Sequence, residues 1–168
     1  LIVSNDSLSG SLYLPKKTNQ VPIIDLDYIN LNFSESTSGS SLLDLYKNLS
    51  MPLKFETDSL VINSFEFGNW SFEVSNSNSS LILDNINGTY GKWGLTKNKN
   101  NISRLNITKN KLGWNTNLES KIYSGSPEKA FKQTGIDPNF EMDTIFVETN
   151  VSWQSLPWEF DYVNVLGD

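Results

Sequence analysis

Residues 61–74 read VINSFEFGNWSFEV, and their alternation decides the fold class. Phe65 and Phe67 share one parity, Trp70 and Phe72 the other, with Gly68-Asn69 between them. A two-residue Gly-Asn loop is hairpin chemistry, because Gly takes the positive φ of a type II′ turn. Closing the loop there predicts that Phe67 faces Trp70 and Phe65 faces Phe72. All four rings then stand on one face as cross-strand pairs. Glu66, Ser71 and Glu73 fall on the other.

The same period of two recurs outward from this hairpin. Residues 10–15 (GSLYLP) alternate at Leu12 and Leu14. Residues 21–33 alternate first at Ile24, Leu26 and Tyr28, then at Ile29, Leu31 and Phe33. The change of parity between Tyr28 and Ile29 predicts a bulge. Residues 81–95, 102–115 and 116–123 read as further strands punctuated by Gly and Asn. On a strand over 142–153, Ile145, Val147, Thr149, Val151 and Trp153 share a face. QSLP at 154–157 then turns the chain, and residues 158–165 run back with Trp158, Phe160 and Tyr162 alternating against Glu159 and Asp161.

Two short helices interrupt the strands. Residues 33–52 hold a polar loop (34–41) and a helix over SLLDLYKNL, which Ser41 caps and Pro52 ends. The stronger signal is 126–135, SPEKAFKQTG, with Ser126 as N-cap, Pro127 at the first helical position and Gly135 as the stop. About two and a half turns do not stand alone, so Phe131 must anchor this helix on apolar surface. Strands in hairpin order imply an antiparallel sheet.

Composition narrows the function. The chain of 168 residues has a net charge of −6, with 19 acidic and 13 basic residues. A nucleic-acid groove needs a basic stripe, so nucleic acid is not an expected partner. The Lys-rich run at 95–111 reads first as a solvated hairpin, with a polyanion or headgroup contact as the alternative. Cys and His are both absent from the sequence, which removes thiolate chemistry and the commonest general base and metal ligand. No G-x-S-x-G elbow or Gly-rich phosphate loop is present. Asp25 and Asp27 share a strand face, and Glu66 and Glu73 are expected to face each other across the hairpin region; a solvated polar face is the first reading, and a glycosidase pair is the alternative, which needs a cleft the sequence does not announce. The triplets at Asn48, Asn69 and Asn106 match the glycosylation pattern by chance in an Asn- and Ser-rich chain. No enzyme, cofactor or metal is expected. Because the sequence starts at Leu1 and breaks off after NVLGD, it reads as one β-rich segment, 1–168, of a longer protein.

The aromatic stripe admits three readings: an ordinary sealed core, a carbohydrate platform, or a groove for acyl chains. A groove needs no specific polar contact. Burying hydrocarbon is worth roughly 0.8 kcal/mol per CH₂, so a chain of about 16 carbons gains on the order of 12 kcal/mol.

The ordered motifs resemble a family. Residues 52–74 are similar to the stretch in AsmA-like proteins of the YhdP type where a proline-led strand precedes a hairpin with Gly near its tip. Residues 111–138 look like the next family segment: a strand carrying Trp, a Thr-x-Leu strand and a short helix ending in Gly. Residues 149–168 resemble its L-x-W…P…F…L-x-G signature, and residues 8–15 and 21–31 its first strands. Asn69, Asn87-Gly88 and the Lys- and Asn-rich loop at 96–101 depart from the pattern.

The resemblance implies a non-catalytic periplasmic segment of an inner-membrane-anchored envelope protein. Its apolar β-groove would carry phospholipid acyl chains between inner and outer membrane and support the outer-membrane permeability barrier. Its partners would be phospholipid, neighbouring repeats of the parent chain and other envelope proteins. The expected fold is mainly β: an antiparallel, strongly curved sheet forming an open groove or half-barrel, with two short helices. The expected groove residues are Phe65, Phe67, Trp70, Phe72, Ile145, Val147, Val151 and Trp153, extended by Trp158, Phe160 and Tyr162. The alternative is a non-catalytic carbohydrate-binding or structural β-module.

Overall fold

The chain reverses at Asn63-Ser64. In the computed structural model of the protein, which describes residues 2–15, 20–32, 51–77, 80–95, 103–139 and 141–157, these two residues have φ of 50° and 70°. Positive φ at both central positions makes the type I′ hairpin turn. It joins β4 (Leu53–Ile62) to β5 (Phe65–Ser77), with Ile62 opposite Phe65. This corrects the expected turn at Gly68-Asn69, which instead lies inside β5, at a register shift opposite Leu60. Phe72 therefore faces Phe55, and Trp70 faces Thr57. Glu66 and Glu73 sit on the same strand and do not face each other. Gly-Asn suits a tight turn, but Asn also tolerates positive φ, and turning at 63 lets β4 and β5 pair over their full lengths.

The described residues form a single mainly β sheet of ten strands and one helix. The other strands are β1 (Ile2–Ser4), β2 (Leu8–Tyr13), β3 (Ile23–Leu31), β6 (Ser80–Tyr90), β7 (Trp93–Leu95), β8 (Arg104–Asn110), β9 (Gly113–Ser124) and β10 (Ile145–Trp153). The order is β1-β2-β3-β4-β5-β6-β7-β9-β10, and β8 shares the slot of β7 between β6 and β9. The two short strands lie end to end along β6: β8 pairs its first residues and β7 its last. The path is open, with β1 and β10 at its two edges.

Every pair is antiparallel except β3 with β4, which are parallel. That is a second correction. Parallel neighbours require a crossover, and hairpin order was read through residues 33–50, which fall outside the described residues. The expected polar loop and helix at 33–52 fall largely there too, as does the returning strand at 158–165 with Trp158, Phe160 and Tyr162.

Bulges interrupt four ladder positions. Between β2 and β3 the register slips so that Asp27 has no partner, just before the parity change at Tyr28-Ile29. Two slips occur between β4 and β5, and one between β5 and β6 at Asn85-Ile86, where Asn85 has φ 54°. Each bulge bends its strand and raises the local twist, so the sheet is built to curl.

Helix α1 (Pro127–Gln133) follows the expected boundaries, with Pro127 at its first position and Glu128 in its first turn. Ser126 occupies the N-cap position without a side-chain capping bond. Seven residues are too few to hold a helix alone. Phe131 meets Trp93 edge to face at 5.1 Å, and the Trp93 indole N–H donates to the Ala130 carbonyl at 3.1 Å. Pro127 and Ala130 are buried.

Candidate functional site: the apolar face of the sheet

Paired residues lie on the same side of a sheet, and neighbours in a strand lie on opposite sides. Following the ladders from strand to strand therefore sorts the side chains. Leu26, Phe55, Trp70, Phe72, Leu83 and Leu105 fall on one face. From Leu105 the same face continues through Leu118 to Val151, and from Leu95 through Ile122 to Val147. The opposite face carries Asp25, Glu56, Ser71 and Asn87 on the near strands, and Arg104, Glu119, Lys121 and Glu148 on the far ones. One face is thus mainly apolar from β2 to β10, with Thr57, Thr116, Ser120 and Ser124 buried among its hydrophobics, while the other is mainly polar but carries the exposed Tyr123–Phe146 ring pair.

Ring contacts agree with the ladders. Phe55 stacks on Phe72 with centroids 4.7 Å apart and planes at 17°. Phe67, displaced by the second bulge of the β4–β5 ladder, meets Tyr90 at 5.2 Å. Trp70 lies over Gly88, where a Cβ would stand 2.4 Å from the ring. Its indole N–H donates to the Phe67 carbonyl at 2.7 Å.

The described expected groove residues thus share one face but form two groups. Phe65, Phe67, Trp70 and Phe72 lie on β5, and Ile145, Val147, Val151 and Trp153 on β10. Three ladder positions separate the groups. Phe65 is 64% exposed and Val147 38% exposed, while Phe67, Trp70, Phe72, Ile145 and Val151 are half-buried. Trp153 is different. It is buried, and its indole N–H donates to the Leu156 carbonyl at 3.1 Å. Thr116 Oγ1 donates to the Ser155 carbonyl at 2.6 Å. These bonds fold residues 154–157 onto the face, where Leu156 packs with Ile107, Leu81, Leu105 and Trp114. Trp153 is therefore core, not open groove.

Sequence reading missed Phe55, Tyr90, Trp93, Leu105 and Ile122 on this face. The signal existed for Phe55: Leu53, Phe55 and Thr57 alternate within residues 53–57. The buried hydrophobics among the described residues are Leu26, Ile86, Ile107, Ala130, Trp153 and Leu156. Only α1 and residues 154–157 cover the oily face among the described elements, near Trp93 and Ile107 respectively. The ring row Phe55, Phe72 and Trp70, on β4 and β5, stays half-buried.

The polar face holds a shallow depression of about 300 Å³ lined by Asp25, Glu56, Asp58, Asn69, Ser71 and Asn87, with Thr57 and Trp70. Among the described residues no group of three or more carboxylate, His or Cys side chains could hold a metal ion. The ion pairs are exposed. Lys121 Nζ sits 2.8 Å from Glu148 Oε1, and its hydrogen bond, then its charge, hold the Glu148 carboxyl below the usual carboxylate value. Arg104 Nε meets Asp84 at 2.5 Å. No helix among the described residues is long and apolar enough to cross a membrane.

Comparison with family models, curated proteins and solved structures finds no match to this chain.

Proposed function

We propose that this chain is a lipid-binding segment whose oily sheet face accepts the acyl chains of phospholipids. The observation that carries the reading is the half-buried state of Phe55, Trp70, Phe72 and Leu83 on a mainly apolar face that runs from β2 to β10. A protein of this size with an ordinary sandwich core would bury such residues against a second layer. Here the apolar surface exceeds what the described helix and residues 154–157 cover. An acyl chain laid on this face exchanges water for hydrocarbon contact along its length.

The wider role follows from the resemblance to AsmA-like proteins. On that reading the segment belongs to an inner-membrane-anchored protein of the periplasm. Neighbouring repeats of the parent chain continue the face at its open edges, and envelope proteins are partners. Phospholipid passes toward the outer membrane with tails on the oily face and headgroups wet, supporting the permeability barrier. The segment is passive and non-catalytic; direction and energy come from elsewhere.

A saccharide module is the second reading, favoured by the carboxylate and amide groups around the polar depression. Its weakness is the lack of a free stacking platform there: the Trp70 ring is already laid over Gly88.

Titration with phospholipids brominated on the acyl chains tests the proposal. The expected result is quenching of Trp fluorescence beyond that of unbrominated lipid, and its reduction by Phe72→Asp. Absence of quenching by lipid, together with a response to oligosaccharide, would favour the second reading.

A further inference from the structure

The two ends of the strands differ in chemistry. Strand directions bring to one end the last residues of β2, β5, β8 and β10 and the first residues of β3, β4, β6 and β9. This end exposes Tyr13 at the end of β2 and Leu14 after it, Val21 before β3, Met51 before β4 and Leu112 in the β8–β9 turn. Leu112 is 92% exposed, the most exposed large hydrophobic among the described residues. It is not a loose loop: the Leu112 N–H donates to Asn110 Oδ1 at 2.8 Å, and Asn110 pairs with Gly113 across the turn.

Lys109 and Lys111 lie just before Leu112, and both are exposed. The Lys109 ammonium stands 5.0 Å over the Trp114 ring. Among the described residues, the stretches that make this end (12–15, 20–24, 51–54, 74–77, 80–83, 107–114 and 152–157) contain no carboxylate side chain. The opposite end holds Asp6, Glu66, Glu128, Asp137, Glu141 and Asp143. Lys54 in these stretches pairs with Glu56, but Lys109 and Lys111 face no carboxylate among the described residues. The opposite end also exposes apolar side chains, Phe65, Ile136 and Met142, but among carboxylates. In a chain of net charge −6, strand-end tips that carry lysines and projecting apolar side chains without carboxylates are a local inversion.

Each component has one environment that suits all of it. Exposed Leu and Met gain by entering the acyl boundary of a bilayer. Lys keeps its ammonium at the phosphates while its stem lies in apolar surroundings. Trp sits at the headgroup level. A row of strand ends that extends from β2 to β9 also suits a surface of distributed negative charge better than a pocket on a protein. We infer that this end of the sheet docks on an anionic lipid surface, with Leu112 as the inserting tip and Lys109 and Lys111 on the headgroup phosphates. The inference stands apart from the acyl-binding reading, since a bilayer seated at this end requires no lipid on the sheet face.

The chain has no Cys, so single cysteines can be labelled cleanly. Leu112→Cys and Ile136→Cys, one at each end, would carry an environment-sensitive nitrobenzoxadiazole probe; a melting curve for each verifies folding. With vesicles of phosphatidylcholine and phosphatidylglycerol the probe at 112 should shift to the blue, and the probe at 136 should not. Vesicles of phosphatidylcholine alone should give a much weaker response. Added salt should weaken binding, and K109Q with K111Q should lower partitioning about fivefold for each lysine removed. A probe at 112 that stays aqueous on anionic vesicles would overturn the inference. So would equal shifts at 112 and 136, or a shift at 112 that follows protein concentration without vesicles, which would mean a second copy covers this end.

Discussion

Trp70 lies across Gly88, its partner on the neighbouring strand, so closely that a Cβ on residue 88 would stand 2.4 Å from the indole ring. The ring fills the gap that glycine leaves in β6, and the glycine lets the ring lie flat on the sheet. A mirror arrangement stands on the polar face, where Tyr123 covers its partner Gly94 with a ring atom 2.6 Å from where a Cβ would be. Both glycines are required by close approach.

Gly88→Val should therefore lift Trp70 off the sheet and lower stability by about 2 kcal/mol, as overpacking in a filled site does. Urea unfolding followed by Trp fluorescence measures it. A change within the error of the midpoint would mean that the ring does not rest on Gly88.

The Asn63-Ser64 turn places two non-glycine residues at positive φ, which costs each of them free energy that Gly would not incur. Ser64→Gly should raise stability by about 0.5–1 kcal/mol. If the hairpin closed at Gly68-Asn69 instead, the same substitution in mid-strand should destabilise. The sign of the shift in urea midpoint decides between the two turns.

Phe131 holds α1 on Trp93. Phe131→Ala should release the helix at a cost of about 2 kcal/mol, below the range for a fully buried Phe because the ring is half-exposed. Hydrogen exchange at residues 127–133 should then rise well above the exchange of β9. Unchanged protection would show that Ala130 and Pro127 suffice as anchors.

Glu148 sits beside Lys121, which lowers its folded carboxyl value below the ordinary 4.5. A depressed carboxylate stabilises the fold above its unfolded value, and that contribution is lost as pH falls through the folded value. The pair is exposed, so the contribution is small. The difference in urea midpoint between the wild type and Glu148→Gln should be present at neutral pH and vanish in the acid range below 4.5. A difference that persists in acid would show that the effect does not come from the charge pair.

The fold class was legible because alternation is a backbone property: once residues 145–153 form a strand, Ile145, Val147, Val151 and Trp153 must share a face. Helix 127–133 was legible for the same kind of local reason, a Pro-led start and a Gly beyond its end. The parallel pairing of β3 and β4 was not, since nothing in either strand records which neighbour lies across a long connection. Nor was the hairpin turn, because two adjacent dipeptides, Asn63-Ser64 and Gly68-Asn69, both carry turn chemistry, and the length of paired strand settles between them. Trp153 read as groove and is core, because the bond from its indole to the Leu156 carbonyl depends on how residues 154–157 fold back.

The central claim is that hydrocarbon lies on one face of the sheet and not on the other, and photocrosslinking across that boundary tests it most directly. Benzoylphenylalanine would be placed at Phe72 and Val147 on the oily face, and at Glu73 and Glu148 beside them on the polar face. In cells or with phospholipid vesicles, adducts of lipid mass are predicted at 72 and 147 and not at 73 and 148. Lipid adducts distributed equally over the four positions, or none at 72 and 147 while a known lipid-binding control crosslinks, would contradict it.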